Sequence, residues 1–178
     1  MHKIKKLLSV ILCACILSGM SGCGRISSKT VNELADEGYE VEWVSDDSIL
    51  ITEDGAEYYF KTGLLKPELD KIIVNVPTTK EKAHEAGYTT EVTITRTGRN
   101  RMTVIFSRPV LLTDKDGEEE YGTDYYTFRF KNGFSADDMT NNRGFHDMKS
   151  DYDACFGELS PDEAQRLYDR ALELEKEL

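Results

Sequence analysis

Residues 88–106 read YTTEVTITRTGRNRMTVIF, and this stretch decides the fold. Tyr88, Thr90, Val92 and Ile94 alternate with Thr89, Glu91, Thr93 and Thr95. Met102, Val104 and Phe106 alternate with Thr103 and Ile105. Alternation with a period of two places one set on a buried face and the other on an open one, the pattern of a half-buried strand. Gly98-Arg99-Asn100 between the two runs is long enough only for a turn, so the two strands should pair antiparallel.

The same pattern extends in both directions. Downstream, Tyr126, Phe128 and Phe130 alternate with Tyr125, Thr127, Arg129 and Lys131, giving an aromatic face that Asn132-Gly133 ends. Between them, Pro109 implies an edge, a bulge or a strand end before Val110-Leu111-Leu112, and Asp114-Lys115-Asp116-Gly117 is a further turn. Upstream, Tyr39, Val41 and Trp43 alternate with Glu40 and Glu42. Residues 48–52 and 57–61 read as strands around Asp54-Gly55, a dipeptide suited to a type I′ hairpin because both central residues need positive φ. Residues 63–71 form a connection containing Pro67, and the short apolar strand 72–76 stops at Pro77. Residues 79–86 suit a short helix with Gly87 at its C′ position.

Two further helices frame this body. Thr30 is placed to cap a short helix over 31–37 that Gly38 ends. Ser160-Pro161-Asp162-Glu163 has the order of a capping box with Pro at N1. After it, Ala164, Leu167, Tyr168, Ala171, Leu172 and Leu178 recur at helical spacing. The expectation is an α+β domain: a mainly antiparallel sheet of about seven strands, with a short N-terminal helix and an amphipathic helix over 161–178 packed on the sheet.

Composition sets outer limits on function. The 178 residues carry 22 Lys+Arg and 33 Asp+Glu, a formal charge of −11. With 39% apolar and 31% charged residues, the chain is neither a multi-span membrane protein nor a collagen-like chain. The acidic balance points away from nucleic acid, whose phosphates demand clustered Lys and Arg. Its seven Phe, nine Tyr and one Trp supply material for a core.

The N-terminus carries an address. Lys3, Lys5 and Lys6 precede an apolar run from Leu7 to Leu17. Such a run is shorter than the roughly 20 residues needed to span a bilayer, as in a signal peptide. Met20-Ser21-Gly22-Cys23 follows and resembles the lipobox of bacterial lipoproteins, although Met20 stands where Leu, Val or Ile is commoner. The resemblance covers only the first two dozen residues. It implies a diacylglyceryl group on the Cys23 thiol and cleavage just before it. The domains then read as a signal peptide over 1–22, a short tether over 23–29 and one globular unit over 30–178. Loss of residues 1–22 removes three Lys and no acid, so the charge of −11 becomes −14. An anionic surface repels such a body, while acyl chains hold it. Cys13 and Cys15 leave with the signal, so Cys155 has no intramolecular disulfide partner.

Residues 134–159 show no clear period and read as one long connection, pinned by aromatics such as Phe134, Phe145, Tyr152 and Phe156 or hiding short helices. The binding loop we expect lies here: Asn141, Asn142, Arg143, Phe145 and His146. Asn and Arg orient a polar ligand, Phe145 offers a stacking face, and Gly144 lets the backbone come close. Cys155 with His146 and a neighbouring carboxylate has the residue types of a thiol nucleophile and base, but a lone Cys more often packs as a small hydrophobe. Asp151 and Asp153 begin like a calcium loop and then depart from it, because Cys155 takes the third ligand position and Phe156 stands where Gly is required. The acidic tip 114–120 reads as a solvated turn. No catalytic or metal-ligand residues are assigned, and no cofactor is expected.

The function expected from these residues is a binding or interaction module of the cell envelope, anchored by lipid on the extracytoplasmic face of the membrane. Its partner would be an envelope protein or a small polar ligand. The alternatives are an envelope-acting hydrolase or transferase using Asp147, Asp151 and Asp153, and a small structural subunit of an envelope complex.

Overall fold

A computed structural model describes residues 25–140 and 145–178. Seven strands form one sheet in sequence order, and every neighbouring pair is antiparallel. They are β1 (Glu40–Ser45), β2 (Ser48–Glu53), β3 (Ala56–Lys61), β4 (Glu68–Pro77), β5 (Thr89–Gly98), β6 (Arg101–Thr113) and β7 (Glu119–Lys131). The helices are α1 (Ser28–Asp36), α2 (Glu81–Glu85), α3 (Phe145–Cys155) and α4 (Pro161–Glu177), with one 3-10 turn at Ala136–Asp138. The fold is the expected α+β arrangement, with the C-terminal helix lying on β3 and β4.

Alternation along the strands makes one closed face. Ile49 and Ile51 on β2 stand beside Phe60 and Tyr58 on β3. Thr90, Val92 and Ile94 of β5, Met102, Val104 and Phe106 of β6, and Phe128 and Phe130 of β7 continue it. On β4 the inward residues Leu69 and Ile72 are three apart, which strict alternation forbids. A bulge reconciles them: Tyr59 pairs with Lys71 while the next residue, Phe60, pairs with Leu69, so Asp70 is extra and the face is restored.

Helix α4 presents Ala164, Tyr168, Ala171 and Leu174 to this face. Its start is as expected. The Ser160 hydroxyl accepts from the Glu163 N–H, the Glu163 carboxylate accepts from the Ser160 N–H, and Pro161 opens the helix. The hairpin at Asp54-Gly55 has φ of 50° and 77°, and Gly38 and Gly87 end their helices at φ of 100° and 82°.

Three details differ from the expectation, and a fourth selects among its alternatives. Ser27, not Thr30, caps α1: its side chain accepts from the Thr30 N–H, one turn earlier than the apolar pattern suggested. Ile26 is only 3% exposed and belongs to the core, so the folded unit begins inside the segment read as tether. For Pro109 the edge holds among the alternatives expected, and the strand is not broken there. β6 runs on to Thr113 and pairs with β7 throughout, whereas its ladder with β5 stops at Ser107, which leaves Pro109 on free edge. The long connection is mostly structured: Tyr152, Cys155, Phe156 and Leu159, spaced as one helical face, are buried by α3 and its exit.

The meander fixes two ends. The β1–β2, β3–β4 and β5–β6 turns share one end of the strands, which we call proximal. The β2–β3, β4–β5 and β6–β7 connections share the distal end. Arg25–Ser28 lines the same cleft as Trp43–Asp46, so the chain enters the fold at the proximal end.

Candidate functional site

A concavity opens at the proximal entry. It is a cleft of about 700 Å³ between the N-terminal segment Arg25–Ser28 and the end of β1, Trp43–Asp46. Trp43 pairs with Ile49 and Ser45 with Ser48, so Val44 is an extra residue and both Trp43 and Val44 remain open to solvent. The turn beyond is held by its own side chains. The hydroxyls of Ser45 and Ser48 donate to Asp47 Oδ1 at 2.6 and 3.0 Å, which keeps that carboxyl below its ordinary pKa.

A second turn stands next to the first. The Thr62 N–H donates to the Asp47 carbonyl at 2.8 Å, so the β3–β4 connection is tied directly to the β1–β2 turn. Gly63 is required there, because a Cβ would lie 2.2 Å from the Lys66 carbonyl oxygen. Lys66 in turn pairs with Glu175 at 2.5 Å. The turn is therefore fixed at both ends, and it holds Leu64 and Leu65 outward.

The distal end is different in character. Asp114 Oδ1 accepts from the Asp116 and Glu118 N–H groups at 2.8 and 2.9 Å, which closes the acidic tip as a self-satisfied turn. The rings of Tyr88 and Tyr121 lie 4.4 Å apart, and an apolar cleft of about 320 Å³ separates α2 from β6.

A polar cluster centred on one carboxylate lies inside the fold. Glu158, between α3 and α4, accepts from Thr78 Oγ1, Thr79 N–H and Oγ1, Thr90 Oγ1, and Nε and Nη2 of Arg108. Burial works to raise this carboxyl, but the donors outweigh it and hold the pKa below the usual range. A carboxylate offers about four lone-pair sites, so this one has no capacity left for a substrate. The cluster is a strut joining the segment just after β4, and β5 and β6, to the helical layer. Sequence reasoning missed it, although Arg108 is in phase with Met102, Val104 and Phe106, which placed a charge on the closed face.

The residues singled out from sequence separate as follows. Cys23, Asn141, Asn142 and Arg143 lie outside the described residues. Phe145 and His146 form the first turn of α3. Asp151 and Asp153 lie on the same helix, with Asp153 exposed. Among the described residues no three His, Cys, Asp or Glu side chains converge as a metal site. Cys155 is fully buried, and burial pushes its thiol up to about 12, the opposite of an activated nucleophile. No helix among the described residues is long and apolar enough to cross a membrane. Comparison with protein-family models, with curated proteins and with solved structures finds no match to this chain.

Proposed function

We propose that this protein is an extracytoplasmic lipoprotein, a binding module held at the membrane by lipid on Cys23. The observation that carries the reading is the position of Ile26. It is buried in the core three residues after the lipobox cysteine, so at most about 10 Å of chain separates anchor from domain. Its net charge repels an anionic surface, and the acyl chains oppose that repulsion and hold the body beside the membrane. Fractionation of cells carrying wild type and Cys23→Ser tests this, together with the mass of the mature N-terminus. The wild type should sediment with membranes and begin at an acylated Cys23. The variant should be released or remain an uncleaved precursor. Identical fractionation with an unmodified Cys23 refutes the anchor.

We assign recognition to residues 141–146, with an envelope protein or a small polar ligand as partner. Strand and helix frame this segment. The Thr140 N–H donates to the Arg129 carbonyl at 2.9 Å on one side, and α3 begins at Phe145 on the other. Arg143→Ala with Phe145→Ala should lose partners retained from an envelope extract while keeping the melting temperature. Unchanged partners with a lowered melting temperature overturn the assignment.

A further inference from the structure

Four large apolar side chains stand open at the proximal end: Trp43 at 40%, Val44 at 53%, Leu64 at 84% and Leu65 at 78% exposure. They do not lie on one wandering loop. They sit on two adjacent turns that the Thr62–Asp47 backbone hydrogen bond ties together. Gly63 and the Lys66–Glu175 pair fix the turn that carries the leucines. A rigid turn that holds two consecutive leucines in water implies a surface that covers them.

The chain itself indicates that surface. Arg25 lines the cleft beside Trp43, and Cys23 is two residues earlier, at most about 7 Å of extended chain. Acyl chains on Cys23 therefore bring this end, and not the distal one, to the headgroups. The distal turn is the strongly acidic one, with Asp114, Asp116, Glu118 and Glu119 against Lys115, and it faces away. At the two turns that carry these four residues, Lys61 and Lys66 are already paired with Asp70 and Glu175 and Asp46 and Asp47 are acidic, so charge adds little to the contact at the rim itself. Apolar insertion is the driving term, and an indole is well suited to the interfacial layer.

We infer that the proximal rim, Trp43 and Val44 with Leu64 and Leu65, inserts into the membrane leaflet that holds the anchor, and so fixes the orientation of the domain. This rests on the lipid-anchor reading above.

Trp43 is the only Trp of the chain and reports the contact directly. The full-length protein, extracted from its membranes, is returned to phosphatidylcholine–phosphatidylglycerol vesicles with and without bromine on the acyl chains. Mass spectrometry of the same sample determines whether Cys23 is acylated. With Cys23 acylated, Trp43 emission should shift to the blue, and brominated lipid should reduce it about twofold, as for a ring held within roughly 5–10 Å of the acyl boundary. Leu64→Ser with Leu65→Ser should remove at least about half of that quenching, with acylation and melting temperature unchanged. An acylated protein whose Trp43 is untouched by brominated lipid overturns the docking while the anchor stands. So does full quenching in the double variant. Protection from acrylamide that grows with protein concentration, without lipid quenching, overturns it in favour of a second copy. An unmodified Cys23 removes the anchor, and the docking falls with it.

Discussion

Arg108 donates from Nε and Nη2 to the two oxygens of Glu158, at 3.1 and 2.9 Å, on the closed face of the sheet. Their side chains are 4% and 0% exposed. Strand β6 and the α3–α4 junction are fifty residues apart along the chain and meet through this pair. Taking two charges out of water costs several kcal/mol per ion, so such a pair need not stabilise more than an apolar substitute. Its consequence is asymmetric. Removing one partner strands the other.

Glu158→Gln should therefore destabilise the fold by about 3–5 kcal/mol, since it leaves the guanidinium buried and unpaired. Arg108→Met combined with Glu158→Leu should recover a large part of that loss, because no charge is then stranded. Urea titrations of the three proteins check both statements. A Glu158→Gln protein with an unchanged midpoint would show that water reaches the pair.

Acid should expose the same dependence. Burial tends to raise the carboxyls of Glu158 and Glu175. Arg108 and the threonines outweigh it for the first, and Lys66, the Leu69 N–H and Arg96 for the second, so both stand below the ordinary 4.5. A group with a depressed folded pKa binds fewer protons folded than unfolded. Its contribution is complete above about pH 4.5 and disappears as pH falls through the folded values. The urea midpoint should hardly move between pH 8 and 5.5 on account of these groups, then fall steeply below about 4.5. In Glu158→Gln the acid slope should be shallower by the share of one carboxyl. A slope equal to that of wild type would mean that the shift belongs elsewhere.

The sheet was largely legible because each strand carries its own signal. Residues 88–106 alternate cleanly, Asp54-Gly55 specifies its turn, and Ser160-Pro161 with Glu163 marks the last helix start. What stayed hidden depends on partners distant in sequence. The bulge at Asp70 exists only relative to β3, and the one at Val44 only relative to β2. Helix α3 was overlooked although Phe145, Met148, Tyr152, Cys155 and Phe156 recur at helical spacing, because no capping box like that of Ser160 and Glu163 marks its start. Glu175 was invisible as a buried acid because Lys66, Leu69 and Arg96, which satisfy it, come from β4, β5 and the turn before β4. The rim that we assign to the membrane was half legible: Trp43 falls in phase with Tyr39 and Val41, yet nothing in that phase says that it lies on an edge strand.

Cys155 gives a direct readout of packing. It is buried among Tyr152, Phe156 and Leu159, and burial raises its thiol to about 12. In a chain beginning at Gly24 it is the only cysteine. Its reaction with a disulfide reagent at pH 8 should be slow and should accelerate with urea in step with unfolding. Rapid native-state labelling would indicate that α3 opens locally from β7.

Helix α4 closes the sheet, and Leu174 is its most enclosed large aliphatic side chain. It is fully buried, beside the Glu175 that ties the same turn of helix to Leu69 and Arg96. Leu174→Ala removes its side chain where the surroundings are held by charged hydrogen bonds and cannot collapse freely. The loss should therefore sit in the upper part of the range of about 2–5 kcal/mol for such truncations. Leu172→Ala, at a partly buried position two residues earlier on the same helix, should cost markedly less. The comparison isolates enclosure from helix propensity, because the two substitutions are chemically identical. Chemical denaturation of both variants at neutral pH decides. Equal losses would show that α4 is not seated on the closed face as the contacts with β3 and β4 require.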